Sequence, residues 1–415
     1  MVPALRFPEF RGKGEWEKRP LSDVLSEHQQ KSTGTEEVFS VSVHKGLVNQ
    51  IEHLGRSFSA TSTEHYNRVL HGDIVYTKSP TGDFPFGIIK QSKLDFPVIV
   101  SPLYGVFSPE TIALGTMLDA YFESPANTKS YLEPLVQKGA KNTINIKNSK
   151  FLSGALILPL NENEQRKIAD CCTSIDKLIT AQSQKLDAIK VHKKGLIQQL
   201  FPLEGETVPK LRFPEFRDKG EWVKQKVSDL LIKVINPVTV DPLNIYREIG
   251  IRSHGNGIFH KNPVKGKDLG NKRVFWVEED AFVVNIVFAW ELAVANTAQA
   301  ERGMIASHRF PMYRAYKNKA VVSYIKYFFL TKKGKELLWI ASPGGAGRNK
   351  TLGQKEFENL ELRVPRFVEE QQKIADCLVT IDGLIADQTQ KLDALKVYKR
   401  GLTQQLFPHC GEVSA

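Results

Sequence analysis

The stretch Glu164–Pro202, EQRKIADCCTSIDKLITAQSQKLDAIKVHKKGLIQQLFP, occurs a second time as Glu370–Pro408, EQQKIADCLVTIDGLIADQTQKLDALKVYKRGLTQQLFP. A shorter repeat frames it: Val2–Trp16, VPALRFPEFRGKGEW, returns as Val208–Trp222, VPKLRFPEFRDKGEW. Both pairs are offset by 206 positions, so the chain reads as two tandem units, each a lead-in, a variable block and a closing segment. The closing segments are helical by their period. In the first, Ile168, Cys172, Ile175, Ile179, Leu186, Ile189, Leu196 and Leu200 fall at heptad steps of four and three, broken by polar Gln182 and Lys193. In the second, Ile374, Leu378, Ile381, Ile385, Leu392, Leu395, Leu402 and Leu406 hold the matching positions, with Gln388 and Lys399 as the breaks. That is a heptad seam. Prolines bound each helix, Pro159 and Pro365 upstream, Pro202 and Pro408 downstream. From Ile168 to Leu200 such a helix is roughly 50 Å long. Two apolar stripes of this length in one chain are most simply buried against each other, which unrelated surface helices of one globular core do not require.

At 415 residues the chain exceeds what a single core usually serves. Its 41% hydrophobic and 25% charged residues are those of a soluble globular protein. The net charge of +11 favours a polyanionic partner, nucleic acid first. No apolar run reaches the roughly 18 residues of a membrane span, and the start, MVPALRFPEF, has no signal-peptide core, so a cytoplasmic location is expected. The four cysteines, Cys171, Cys172, Cys377 and Cys410, form no C-x-x-C pair, which argues against a zinc site and a disulfide framework. Cys172 reads as a small core hydrophobe.

The repeats divide the chain into a lead-in at 1–18, a block at 19–157, a helix at 158–203, a second lead-in at 204–223, a second block at 224–363, a second helix at 364–410 and a tail at 411–415. In the first block Trp16–Arg19 is extended, and a helix start is expected at Leu21, with Pro20, Ser22 and Asp23 around it. Glu37–Val48 alternates like a strand and ends in a turn at Lys45-Gly46; 72–78, 86–90 and 97–101 read as further strands. Helix is expected over 117–122 and 130–137, followed by a polar, basic loop, KGAKNTI, at 138–144. In the second block Tyr246–His254 leads into Gly255-Asn256-Gly257, whose glycines permit positive φ. Apolar strands follow at 274–276 and 280–290, then an amphipathic helix at 322–339. The glycine-rich basic loop SPGGAGRNK at 342–350 stands where KGAKNTI stands in the first block. A shared frame with different filling suggests two copies of one mixed α/β architecture that bind different things.

Little in the chain suits catalysis. It has no G-x-x-x-x-G-K-[ST] phosphate loop, no H-E-x-x-H, no G-x-S-x-G elbow and no Asn/Asp-Pro-Pro-aromatic run of amino-methyltransferases. PGGAG at 343–347 follows no clear strand, and Arg348-Asn349-Lys350 directly after it suits phosphate or base contact better than a cofactor. His254 and His260 are the histidines closest to a ligand arrangement, although a loop histidine is more often a polar contact; no metal site is expected. Donors for DNA are richer. Lys78, Ser79, Lys141, Asn142 and Asn145 in the first block, and Arg252, Ser253, His254, Asn256, Arg348, Asn349 and Lys350 in the second, combine long cations with amide and hydroxyl groups. Cations hold phosphates and read guanine, and Asn reads adenine edges; each one is equally well a solvated loop residue. Lys185, Lys190 and Lys194, with Lys391, Lys396 and Arg400, read as a basic, solvated helix face.

The EQxKIAD opening and QKLDAxKxxKxGLxQQLFP close, used twice around divergent blocks behind RFPEF...W, resemble the DNA-specificity subunit of type I restriction-modification enzymes. GDIVYTKSP in the first block, and IRSHGNGIFHK and FVVNIVFAWELAVA in the second, are similar to segments of that family's target recognition domains. The resemblance implies two α/β (α+β type) target recognition domains separated by a pair of long antiparallel coiled-coil helices in a pseudo-twofold arrangement. Each domain would read one half of a split DNA target, the first the 5′ half and the second the 3′ half. The helices would set the gap and dock two modification subunits. It further implies no catalysis and no cofactor in this chain: S-adenosylmethionine, ATP and Mg belong to the modification and the restriction/translocase subunits. The residues alone leave a stand-alone two-headed DNA-binding scaffold or repressor open, and disfavour a self-contained enzyme.

Overall fold

The computed structural model of the chain describes residues 2–54, 63–138, 144–344 and 350–408. The two repeated segments form helices of 39 residues each, Glu162–Leu200 and Val368–Leu406. At 1.5 Å per residue each is about 58 Å long, longer than the seam alone implies. The chain divides into two compact units, one of 1–183 with 390–415 and one of 184–389, so each helix is shared between them.

In the first unit Ile168 and Cys172, from the opening of the first helix, share a core with Leu406 and Phe407 from the close of the second. In the second unit Ile197, Leu200 and Phe201, at the close of the first helix, share a core with Ile374, Ala375 and Leu378 at the opening of the second. Opening against close in both units makes the pair antiparallel. None of the sixteen seam residues is exposed. Leu196 is only half-buried, because Ile197 beside it takes the deeper position in the core. Burial pushes the Cys172 thiol up to about 12, as expected of an inert core cysteine. The six cations read as one basic face are all exposed. They occupy heptad positions on both sides of the seam as well as opposite it, so they form no single stripe.

The repeated lead-ins have a structural purpose that only the folded chain reveals. Arg6 forks onto the Glu164 carboxylate at 2.7 and 2.8 Å, and the Trp16 indole donates to the same carboxylate at 3.1 Å. Arg212, Trp222 and Glu370 repeat this at 2.8, 2.9 and 3.1 Å. Strand Glu17–Pro20 then pairs antiparallel with Ala155–Leu158, and Val223–Lys226 pairs with Glu361–Val364. Leu5 N–H donates to the Gln405 carbonyl, and Leu211 N–H to that of Gln199, both at 2.9 Å. The closing QQLFP motifs supply the last piece: Phe407 meets Tyr121 at 5.4 Å, and Phe201 meets Tyr324 at 5.3 Å. Each unit is thus its lead-in, its block, the opening of one helix and the close of the other.

Both blocks carry the same four-stranded antiparallel sheet. In the first the spatial order is Leu25–Glu27, Gly105–Pro109, Ile74–Tyr76, Ile89–Gln91; in the second it is Leu231–Val234, Met312–Ala315, Phe282–Val284, Val294–Asn296. Ile74 and Tyr76 face the core shared with the long helices and Val75 a second cluster. Phe282, Val283 and Val284 alternate in the same way. Sheets covered on both faces explain why these strands read as unbroken apolar runs. The described residues that flank KGAKNTI and SPGGAGRNK are arranged alike. Gln137–Lys138 pairs with Ile144–Asn145, and Gly344 bridges to Lys350, each just before a short helix and the strand that enters the long helix.

Local expectations differ in four places, the first being that of 280–290 only Phe282–Val284 is strand, with the 3-10 turn Ala289–Glu291 at its far end. The helix start at Leu21 is a single 3-10 turn, Leu21–Asp23, because the next residues, Leu25–Glu27, join the sheet. Helix 130–137 is Pro125–Leu132 followed by a 3-10 turn. The amphipathic stretch 322–339 is two helices, Val322–Phe329 and Lys332–Ile340. Thr331 caps the second by accepting from Gly334 N–H, and Gly334 lies so close to the Phe328 carbonyl that a Cβ there would sit 2.2 Å from it.

Candidate nucleic-acid interface

In the second unit, strands Ile249–Ile251 and Ile258–His260 form a hairpin whose tip is 252–257. The tip is held in a single shape. His254, Gly255 and Gly257 are left-handed, at φ of 61°, 70° and 75°. Arg252 N–H donates to the Gly257 carbonyl at 2.9 Å, and the Asn256 amide donates to the Ser253 carbonyl at 2.9 Å. A Cβ on Gly255 would come 2.6 Å from Leu330 Cδ2, and its left-handed φ of 70° disfavours any other residue there.

The tip docks on the 3-10 turn Ala289–Glu291. His254 N–H donates to the Glu291 carbonyl at 2.7 Å, Gly255 N–H to that of Leu292 at 2.9 Å, and the Ser253 hydroxyl to the Glu291 carboxylate at 3.1 Å. Ser253 therefore positions the tip rather than reaching outward. Arg252 is exposed, its guanidinium 4.9 Å from the Phe259 ring centroid. His254 and Asn256 are exposed as well. From the same turn Trp290 meets Trp339 edge-on at 6.0 Å, and Lys350 Nζ stands 3.1 Å above the Trp339 ring. The turn thus joins Arg252, His254 and Asn256 to Lys350. His260 is accounted for by Glu301, 2.7 Å away, and no group of three metal-binding side chains occurs among the described residues.

Sequence reasoning missed two further features of this unit. Trp339 and Phe288 are 48% and 42% exposed, and Trp339 carries Lys350 over its ring. A groove of about 190 Å³ is lined by Lys233, Arg273, His308 and Gln354 over Phe275, Phe310 and Met312. The aromatic run FAWEL was the available signal for the first; the groove draws on segments too far apart in sequence to be seen together.

In the first unit the candidate residues are set differently. Lys78 is left-handed at φ 60°, opposite Gly87, where a Cβ would lie 2.8 Å from Lys78 N. Burial lowers the Lys78 pKa, opposed by the charge of Glu27. Glu27 accepts from the Asn148 amide at 2.5 Å. Lys78 is thus a half-buried cation facing a carboxylate, not the open phosphate donor its sequence suggests, while Ser79 beside it is exposed. Glu27 and Asn148 stand 206 positions before Lys233 and Gln354, which are hydrogen-bonded to each other. One frame carries an acid in one block and a cation in the other. Lys141, Asn142, Arg348 and Asn349 lie outside the described residues, as does the side chain of Asn145.

Residues 271–397 match the family model described as "Type I restriction modification DNA specificity domain". Over those residues, less than half of the chain, it is similar to that family. The S subunit of a type I restriction-modification system from M. genitalium is 12% identical, with a TM-score of 0.61 over 99% of this chain and 100% of that one, a likeness of fold. A chain from a structure of type I R-M complex assembly and conformational transition is 13% identical over 95% of this chain and 97% of that one, with a TM-score of 0.48. The HsdS subunit from Thermoanaerobacter tengcongensis is 12% identical over 96% and 99%, with a TM-score of 0.41. No curated protein matches the chain significantly. No helix among its described residues is long and apolar enough to cross a membrane.

Proposed function

We propose that this chain is the DNA-specificity subunit of a type I restriction-modification complex and reads a bipartite, gapped DNA sequence, with block 19–157 taking one half, block 224–363 the other, and the long helices setting the gap. The observation that carries this reading is the identical strand order of the two blocks beneath different loop chemistry. A common frame presents each reading surface in the same way, and the side chains on it decide which bases are accepted. In the second block Arg252, His254, Asn256 and Lys350 are the proposed contacts, together with Arg348 and Asn349. In the first, the proposed contacts are Ser79, Lys141, Asn142 and Asn145, with Lys78 nearer to a structural role.

The chemistry would belong to partners. Two modification subunits docked on the helices would bring S-adenosylmethionine and flip the target adenine. Restriction subunits would bring ATP and Mg, and the complex would act in the cytoplasm. Co-expression with the modification subunits, followed by methylation-sensitive sequencing of the cell's DNA, tests this. The expected result is N6-methyladenine in one motif of two half-sequences at a fixed gap. A contiguous motif, or tight sequence-specific binding by the isolated chain with no methylation in the complex, contradicts it.

A further inference from the structure

The two polar breaks Lys193 and Lys399 occupy seam positions where the heptad calls for an apolar residue. Each is answered by an aspartate on the opposite helix. Lys193 lies 2.5 Å from Asp382 in the second unit, and Lys399 lies 2.6 Å from Asp176 in the first. These four residues are two copies of one pair, 206 positions apart. Lys193 and Lys399 are only 20% and 13% exposed, so an unpartnered ammonium at either position is costly.

Each pair also holds its own block, through different chemistry. In the second unit Tyr327 donates to Asp382 at 2.6 Å, and Lys326 lies 3.6 Å from it. In the first, Glu123 pairs with Lys399, and Lys93 lies 3.6 Å from Asp176 and 3.1 Å from Asp119. Burial works against ionisation of Asp382, yet hydrogen bonds from Lys193 and Tyr327 and the charges of Lys193 and Lys326 hold its carboxyl below the ordinary value. The Leu and Ile seam tolerates a one-heptad slide of about 10 Å far better than these pairs do, because the slide strands both lysines in apolar surroundings.

We propose that the Asp176–Lys399 and Lys193–Asp382 pairs are positioning residues that fix the axial register of the long helices and seat each block on them, and thereby restrict the subunit to one gap length. The proposal rests on the reading of the helices as the element that sets the gap.

The test uses the subunit in complex with its modification subunits and a DNA library holding both half-sequences at successive gaps. The wild-type complex methylates one gap. In K193M/K399M the preference for that gap over its neighbours falls on the order of tenfold, with both half-sequences unchanged, and K193R/K399R restores it. An unchanged gap preference in a folded K193M/K399M, or altered half-sequences, overturns the proposal. Should the double variant not fold, K193M and K399M singly carry the same comparison. A wild-type complex that accepts every gap equally overturns the gap reading itself, a different outcome from a K193M/K399M complex that behaves as wild type.

Discussion

Glu164 and Glu370 each accept three side-chain hydrogen bonds from residues about 150 positions upstream, and both are almost completely buried. An acidic residue in the first turn of a helix is ordinary, favoured by the helix dipole. What is not ordinary is that its partners, Arg and Trp, come from the repeated lead-in. RFPEF...W and EQ are visible as repeats, but repetition alone does not say that they meet. We expect E370A to cost about 3–5 kcal/mol, because it leaves the Arg212 guanidinium buried without its carboxylate; urea denaturation reads it. Replacing Arg11, an exposed lead-in cation, serves as the neutral comparison. At the candidate interface residue type was legible and environment was not. Lys78 and Ser253 look like donors in sequence, yet Lys78 is half-buried beside Glu27 and Ser253 is committed to Glu291. Burial and pairing arise from contacts remote in sequence, so a single-residue reading cannot supply them.

At the scale of the element, the helices were the most legible part of the chain, because a sustained heptad pattern is a local signal repeated many times. Their antiparallel pairing follows once Phe201 and Phe407 are seen entering the two cores beside the opening turns of the opposite helices. The strands were found approximately, and their order was not, since strand pairing is a property of contacts distant along the chain. The break at Leu330 and Thr331 escaped notice because the apolar period continues across it. Helix length is the quantity that the gap reading needs. Inserting one heptad into each long helix at equivalent positions, 206 residues apart, adds about 10 Å to the pair and keeps the seam in phase. The expected outcome is a longer preferred gap with the same half-sequences, checked by methylation of the gap library; an unchanged gap argues against the helices as its determinant.

At the scale of the whole molecule, the repeat offset of 206 residues organises two units that each borrow the close of the other repeat's helix. The lead-in, the entry strand and the helix opening recur at that offset with the same hydrogen bonds, whereas the blocks between them share strand order and little else. An invariant frame around variable blocks makes each block exchangeable, and this is the central claim. Its most direct measurement replaces residues 19–157 with the corresponding block of a type I specificity subunit of known target and sequences the DNA methylated by the resulting complex. One half-sequence should change to that of the donor while the other half and the gap stay as they were; a change in both halves, or in neither, would contradict the account.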